Sequence, residues 1–169
     1  MIRKAEKKDL EECVKVIRSS FQTVADELGF NEENAPRFTA FATTLERLRY
    51  HYEQERRPMF VYCDDSRIIG YYSLFQQSDI ECELNHLCVL APYRHQNIGE
   101  ELFWHAVSEA GRLGCSVMNI GIVEENVRLR RWYEQHGAEH VGTEKYDFFP
   151  FTCGYMQKKI VHDGEGRDV

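Results

Sequence analysis

The chain has 169 residues, 43% of them hydrophobic, with ten Phe and nine Tyr; this suits one domain with its own core and excludes a disordered chain. Twenty-one basic against 28 acidic residues leave a formal charge of −7, which opposes phosphate backbones and excludes nucleic acid as the expected partner. Apolar runs such as Met59 to Cys63 fall far short of the roughly 20 residues of a membrane-spanning helix, so no membrane partner is expected.

Met1 to Lys8 is charged and lacks the apolar run of a secretory signal, which predicts a cytoplasmic location, and residues 2–6 read as a short strand. Asp9 with Glu12 reads as a capping box opening a helix. Its stripe Leu10, Cys13, Val14, Ile17, Phe21, Val24 and Leu28 has helical period and stops at Gly29. After the loop Asn31 to Pro36, a second stripe, Phe38, Phe41, Leu45, Leu48 and Tyr52, predicts another helix ending before Pro58. The period then changes to two: strands at 59–63, 67–75 and 79–90 form an antiparallel meander, with a turn at Asp64-Asp65-Ser66. Residues 98–113 read as a helix, 115–123 as a buried strand, 126–136 as a helix, and 138–147 and 154–160 as closing strands.

The order β-α-α-β-β-β-α-β-α-β-β predicts an α/β fold, a mixed sheet flanked by helices, without repeats or linkers. One domain is expected over 1–161, with a frayed tail at 162–169. An edge strand at 154–160 would pair with a second copy or be capped, which leaves a homodimer open. The six cysteines, Cys13, Cys63, Cys82, Cys88, Cys115 and Cys153, contain no Cys-x-x-Cys and sit mostly in apolar segments, as reduced structural residues do. Together with seven His they show no zinc-type spacing, and no metal is expected.

Two segments carry chemistry. In Val89 to Leu102 a strand passes through the polar turn Arg94-His95-Gln96-Asn97 into a helix. Free N–H groups and the helix dipole at such a junction suit a phosphate or pyrophosphate, and Gly99 would let its oxygens approach; an ordinary turn is the alternative. In Asn126 to Gly137 a helix presents Leu129, Trp132, Tyr133 and His136 on one face. Tyr133 there reads either as a core aromatic or as a proton donor.

The combination Arg94-x-x-Asn97-x-Gly99, helix, strand, then Asn126, Leu129, Trp132, Tyr133 and Gly137 resembles the GNAT superfamily of acetyl-CoA-dependent N-acetyltransferases. Members carry Arg/Gln-x-x-Gly-x-Gly/Ala at the pyrophosphate loop and Asn-x-x-Ala-x-x-Phe-Tyr in the late helix, and the element order matches over residues 1 to 160. Two positions depart: Asn97 stands where the first motif glycine is usual, and Ala138 follows Gly137 where Phe is usual. Asn is the residue after Gly that best tolerates left-handed backbone, so the turn survives with a side chain near the phosphates.

The resemblance implies a mostly antiparallel sheet splayed at a cofactor cleft between the strands at 79–90 and 115–123. Acetyl-CoA would lie there as co-substrate, its pantetheine on the backbone of Leu87, Cys88 and Val89. Its pyrophosphate would meet the turn, chiefly the N–H groups of Gln96, Asn97, Gly99 and Glu100, with His95 and Ile98 completing the loop. Arg94 would add a charge, a solvated arginine being the alternative. Asn126 would cap its helix or hold the pantetheine arm.

The implied reaction is acetyl transfer to a primary amine, on a small molecule or a peptide, by direct attack in a ternary complex. Strand alternation puts Glu81, Glu83 and Asn85 on one face and Cys82, Leu84 and His86 on the other. Glu83 is the preferred general base: it lies eleven residues before Arg94, similar to the catalytic glutamate of the histone-acetyltransferase branch. Glu81 and Glu83 as a solvent face, His86 as base, and a bulge that would exchange their roles stay open. Tyr133 would donate a proton to the CoA thiolate. Covalent catalysis through Cys88 or Cys82 lacks an activating constellation. The acceptor site is expected near Arg37 to Phe41 and Tyr146 to Thr152, where an aromatic cluster either lines a pocket or closes the core. The acidic balance leans toward a cationic amine. The rival reading is an acyl-CoA-binding regulatory module without catalysis.

Overall fold

This computed structural model describes residues 1–162; the expected tail at 162–169 therefore falls, apart from His162, outside the described residues. The strands are β1 (Ile2–Lys4), β2 (Met59–Asp64), β3 (Arg67–Gln76), β4 (Glu81–Val89), β5 (Val117–Val123), β6 (Glu139–Lys145) and β7 (Thr152–Lys159). The helices are α1 (Leu10–Leu28), α2 (Thr39–Ala42), α3 (Leu45–Glu53), α4 (Ile98–Arg112) and α5 (Val127–Gln135). The expected α/β fold and element order hold, with one change: the second predicted helix is broken in two. The break falls at Thr43 and Thr44, both with extended backbone: the Thr43 hydroxyl bonds the Thr39 carbonyl at 2.7 Å, and Thr44 opens α3 by accepting from the Arg47 amide at 3.2 Å. Among the described residues no helix is long and apolar enough to cross a membrane.

The seven strands form one sheet in the order β1-β2-β3-β4-β5-β7-β6. Every neighbouring pair is antiparallel except β4 with β5. The expectation of an edge strand at 154–160 is overturned: β7 is paired on both sides, by β5 and β6, and β6 is the edge. Helices cover both faces. Adjacent Tyr71 and Tyr72 on β3 are fully buried and point opposite ways, Tyr71 toward Cys13 of α1 and Tyr72 to His105 Nδ1 of α4 at 2.6 Å. Leu102, Phe103, Ala106 and Ala110 of α4 are wholly buried, and burial of such side chains stabilises the fold by about 25 cal/mol per Å² of apolar surface.

Two local features position the later parts of the site. β4 and β5 share a ladder only over Glu81–Leu84 and Val117–Ile120; beyond it β4 stays with β3 while β5 stays with β7. The strands part where β4 carries a bulge: Ser73 faces Asn85 but Tyr71 faces Cys88, so β4 spends three steps on two of β3, and His86 is left-handed at φ 55°.

The N-terminus of α1 also departs from expectation. The Asp9 carboxylate does not cap α1; it accepts from Arg3 Nη1 at 2.7 Å, Arg3 Nη2 at 3.1 Å and the Glu6 amide at 2.7 Å. Glu12, the other half of the expected box, reaches across to the Ile68 amide of β3 at 3.0 Å. These bonds tie β1 and α1 to the sheet, and Arg3 holds the nearly buried Asp9 below the usual carboxylate range. A carboxylate depressed in this way contributes stability above its unfolded value and loses it as the pH falls through the lower native one. Asp9→Asn should cost about 2 kcal/mol at neutral pH. Urea unfolding at stepped pH checks this: the difference from the parent chain should shrink below about pH 4, and a pH-independent difference would count against it.

Candidate active site

Where β4 and β5 part, a cleft of about 570 Å³ opens. Leu87, Cys88 and Val89 at the free end of β4 line it, as do Ser20, Phe21, Thr23 and Val24 of α1. Arg128, Leu129, Trp132 and Tyr133 of α5 close the other side. The rim is the loop between β4 and α4, through Arg94, His95 and Asn97, with Gly99 and Glu100 from the first helical turn.

Two left-handed residues shape that rim, His95 at φ 62° and Asn97 at φ 64°. Asn97 occupies the conformation a motif glycine would take, which Asn tolerates better than other side chains. The amides of Gln96, Asn97, Ile98, Gly99 and Glu100 find no acceptor among the described residues, and the first bond of the turn runs from the Glu101 amide to the Asn97 carbonyl at 3.0 Å. Such donors at the positive end of a 15-residue helix form an anion cradle. A Cβ on Gly99 would meet only Trp132 and Val89 carbons, at 3.8 and 3.9 Å. These are ordinary contacts, so the fold does not require glycine there and the space belongs to the cleft. Ser20 adds a buried hydroxyl with no partner. The residues present thus fit a long, partly anionic ligand.

Arg94 behaves differently from either expectation. Its Nε donates to the Val89 carbonyl at 3.0 Å, Nη1 to Thr23 Oγ1 at 3.0 Å and Nη2 to the Ser20 carbonyl at 2.9 Å. The guanidinium therefore straps the loop to β4 and α1. The exposed cation on the cleft wall is Arg128, which sequence reasoning passed over; its signal was an arginine two positions after the helix cap. The α1 wall was missed too, since its residues read only as a core stripe. Gln96 and Ile98 do not line the cleft with their side chains: Gln96 is exposed and Ile98 is packed in the core. Asn126 caps α5, accepting from the Leu129 amide at 3.3 Å, and also lines the cleft.

Tyr133 is only 5% exposed. Its hydroxyl bonds no described residue, and burial beside Cys88 raises its pKa, which keeps the proton in place at neutral pH. Glu83 and His86 do not line the cleft. The bulge removes the alternation that separated them: His86 packs edge-on to Phe21 of α1, at 6.2 Å between ring centres, and feels the charges of α3. Glu83 feels Arg57 from the same side. Burial raises the Glu83 carboxyl above its usual value and pushes His86 down to about 4.

A smaller cavity of about 210 Å³ adjoins the cleft. The expected aromatic cluster both lines it and closes a second core around Ala25, Phe38 and Phe151.

The sequence matches the family model described as acetyltransferase (GNAT) family over residues 27–138. An uncharacterised N-acetyltransferase of Mycobacterium bovis is 28% identical over 91 residues, 54% of this chain and 58% of that relative. The ribosomal-protein-S18-alanine N-acetyltransferase of Escherichia coli has the same fold, with a TM-score of 0.73 at 17% identity over 100% of this chain and 99% of that one. So has the PaiA N-acetyltransferase of Thermoplasma acidophilum, solved with coenzyme A, with a TM-score of 0.75 at 21% identity over 94% and 98%.

All six cysteines are free. Burial pushes the Cys13, Cys82 and Cys88 thiols up to about 12, which leaves almost no thiolate at neutral pH. Iodoacetamide should modify the native protein at the half-exposed Cys63 and Cys153 and spare Cys82 and Cys88. Peptide mass mapping reads this directly, and rapid labelling of Cys88 would reopen a covalent mechanism.

Proposed function

The chain belongs to the acetyltransferase (GNAT) family, and from that premise we propose that it is an N-acetyltransferase that moves the acetyl group of acetyl-CoA to a primary amine by direct attack. The observation that carries this reading is the row of unpartnered amides from Gln96 to Glu100 at the mouth of the cleft. A small-molecule or peptide amine is the acceptor. A cytoplasmic location goes with this reading, since six free thiols persist in a reducing compartment.

Bound in the cleft, acetyl-CoA supplies an activated acetyl thioester. The amides of Gln96 to Glu100 hold its pyrophosphate, with Arg128 as the supporting cation. Arg94 acts as a positioning residue, fixing the loop through Val89, Ser20 and Thr23. The backbone of Leu87 to Val89, whose side toward β5 has no ladder, offers strand-like hydrogen bonds to the pantetheine. Asn126 holds the α5 wall in place through its cap.

An acceptor ammonium with a lysine-like pKa near 10 must lose a proton before its lone pair can attack. Glu83, which stands behind the cleft lining, takes up that proton through a water, and its raised pKa makes it a better base than an exposed carboxylate. His86, held near 4, is the weaker candidate. The new C–N bond forms as the C–S bond breaks. Two protons leave the ammonium in all; one ends on the sulfur, delivered by Tyr133, and the other reaches solvent.

Calorimetric titration with acetyl-CoA, followed by thiol release with an amine panel, tests the reading: micromolar binding and amine-dependent release are expected. Binding without release by any amine would favour a regulatory module, and no binding would overturn the cleft assignment. Gly99→Ala should weaken acetyl-CoA about tenfold with the melting temperature unchanged. For the chemistry, Tyr133→Phe should lower kcat by about 10-fold to 100-fold while the acetyl-CoA KM stays nearly constant. Glu83→Gln should lower kcat on the order of 100-fold and abolish the acid limb of the pH profile, where the parent's activity rises as Glu83 loses its proton; an intact limb would transfer the base role to another group.

A further inference from the structure

The smaller cavity is walled by α1, the start of α2, β5 and the connection from β6 to β7. Phe21, Val24, Asn126 and Leu129 line both it and the main cleft. A molecule seated in the smaller space therefore abuts the larger. Its walls are mostly aromatic and aliphatic, and Phe38, Phe149 and Phe151 pack with ring centres 5.9 and 4.5 Å apart. At roughly 30 Å³ per water, the cavity of about 210 Å³ offers space for a benzyl or isobutyl group on its α-carbon.

Its charge is opposite to that of the chain as a whole. No Asp, Glu or Lys lines it, and the one charged lining residue is Arg37. Among the described residues Arg37 has no ion pair or hydrogen bond; its guanidinium lies over the Phe148 ring at 4.2 Å. Stacking on a ring face leaves the edge of the guanidinium, with its fork of N–H donors, free to take a carboxylate. A polyamine would find aromatic faces here but no carboxylate to pair with its further charges. The lean toward a cationic acceptor drawn from the net charge of −7 is thus not supported by the lining of this cavity.

We propose that this cavity selects an acceptor carrying an apolar side group and a carboxylate beside the amine, that is, an α-amino acid of the phenylalanine or leucine class. The aromatic walls take the side group, Arg37 takes the carboxylate, and the amine faces the main cleft. The inference rests on the acetyltransferase reading for its reaction but on the smaller cavity alone for its binding.

The test separates the two. L-Phenylalanine is titrated calorimetrically into the protein alone and into the protein saturated with coenzyme A, and thiol release from acetyl-CoA is then measured with phenylalanine, leucine, phenethylamine and spermidine. Phenylalanine should bind, and its kcat/KM should exceed that of phenethylamine, which lacks only the carboxylate, by about tenfold or more. Spermidine should be the poorest substrate. Arg37→Gln should erase the ratio between phenylalanine and phenethylamine, and Arg37→Lys should restore part of it. No phenylalanine binding, an equal or inverted ratio, a preference for spermidine, or a ratio that Arg37→Gln leaves intact would each overturn the proposal. Failure of coenzyme A to bind would instead strike the reading of the main cleft, with phenylalanine binding to the free protein still deciding the inference.

Discussion

The extra residue between Asn85 and Cys88 bends β4 away from the strand it starts beside, and the cleft depends on that bend. A parallel pair stays in register only while both strands keep the same rise and twist. Once β4 has spent three residues on two of β3, its outer half no longer runs alongside β5. β5 keeps its own partner, β7, over its whole length, so the gap falls between β4 and β5 and nowhere else in the sheet. The gap exposes backbone on Leu87 to Val89, beside Tyr133 and the helix N-terminus after Asn97.

The loop that closes this gap owes its shape to charges turned inward. Arg94 satisfies two carbonyls and a hydroxyl that would otherwise stand at the junction of α1 and β4. With those acceptors engaged by a side chain, the amides on the other side of the loop remain unspent. His136 Nε2 stands 3.6 Å from Glu100, in the first turn of α4. The donors at the loop are backbone amides at the positive end of a helix rather than a cluster of basic side chains, an arrangement that suits an anion even in a chain of net charge −7.

Much of this was legible in the sequence. Apolar periods located nearly every element, because amphipathic helices and half-buried strands write their packing into spacing. Asn97 and Asn126 were readable because left-handed turns and helix caps depend on single residues. The bulge was not: nothing in Glu81 to Val89 marks the extra step, which is fixed by pairing with β3. Arg94 looked like a ligand group since its acceptors, Ser20 and Thr23, lie some 70 residues away in sequence. The same non-locality hid the fate of Glu12, whose partner Ile68 is 56 residues away, whereas Asp9 is claimed by its near neighbours Arg3 and Glu6 rather than by the first turn of α1. The position of β7 between β5 and β6 follows from topology, which the order of strands along the chain does not express.

That last placement bears on how the chain assembles. β5, with the largely apolar run Val117 to Val123, has β4 for a partner along only four residues, and the rest of its backbone waits for the final strand to emerge. Until residues 152–159 are made and pair with it, that edge of β5 is therefore open. An open apolar edge pairs readily with other chains. Pairing of β7 closes that edge and brings Cys153 and Tyr155 to the wall of the smaller cavity, so a chain stopped before β7 lacks both together.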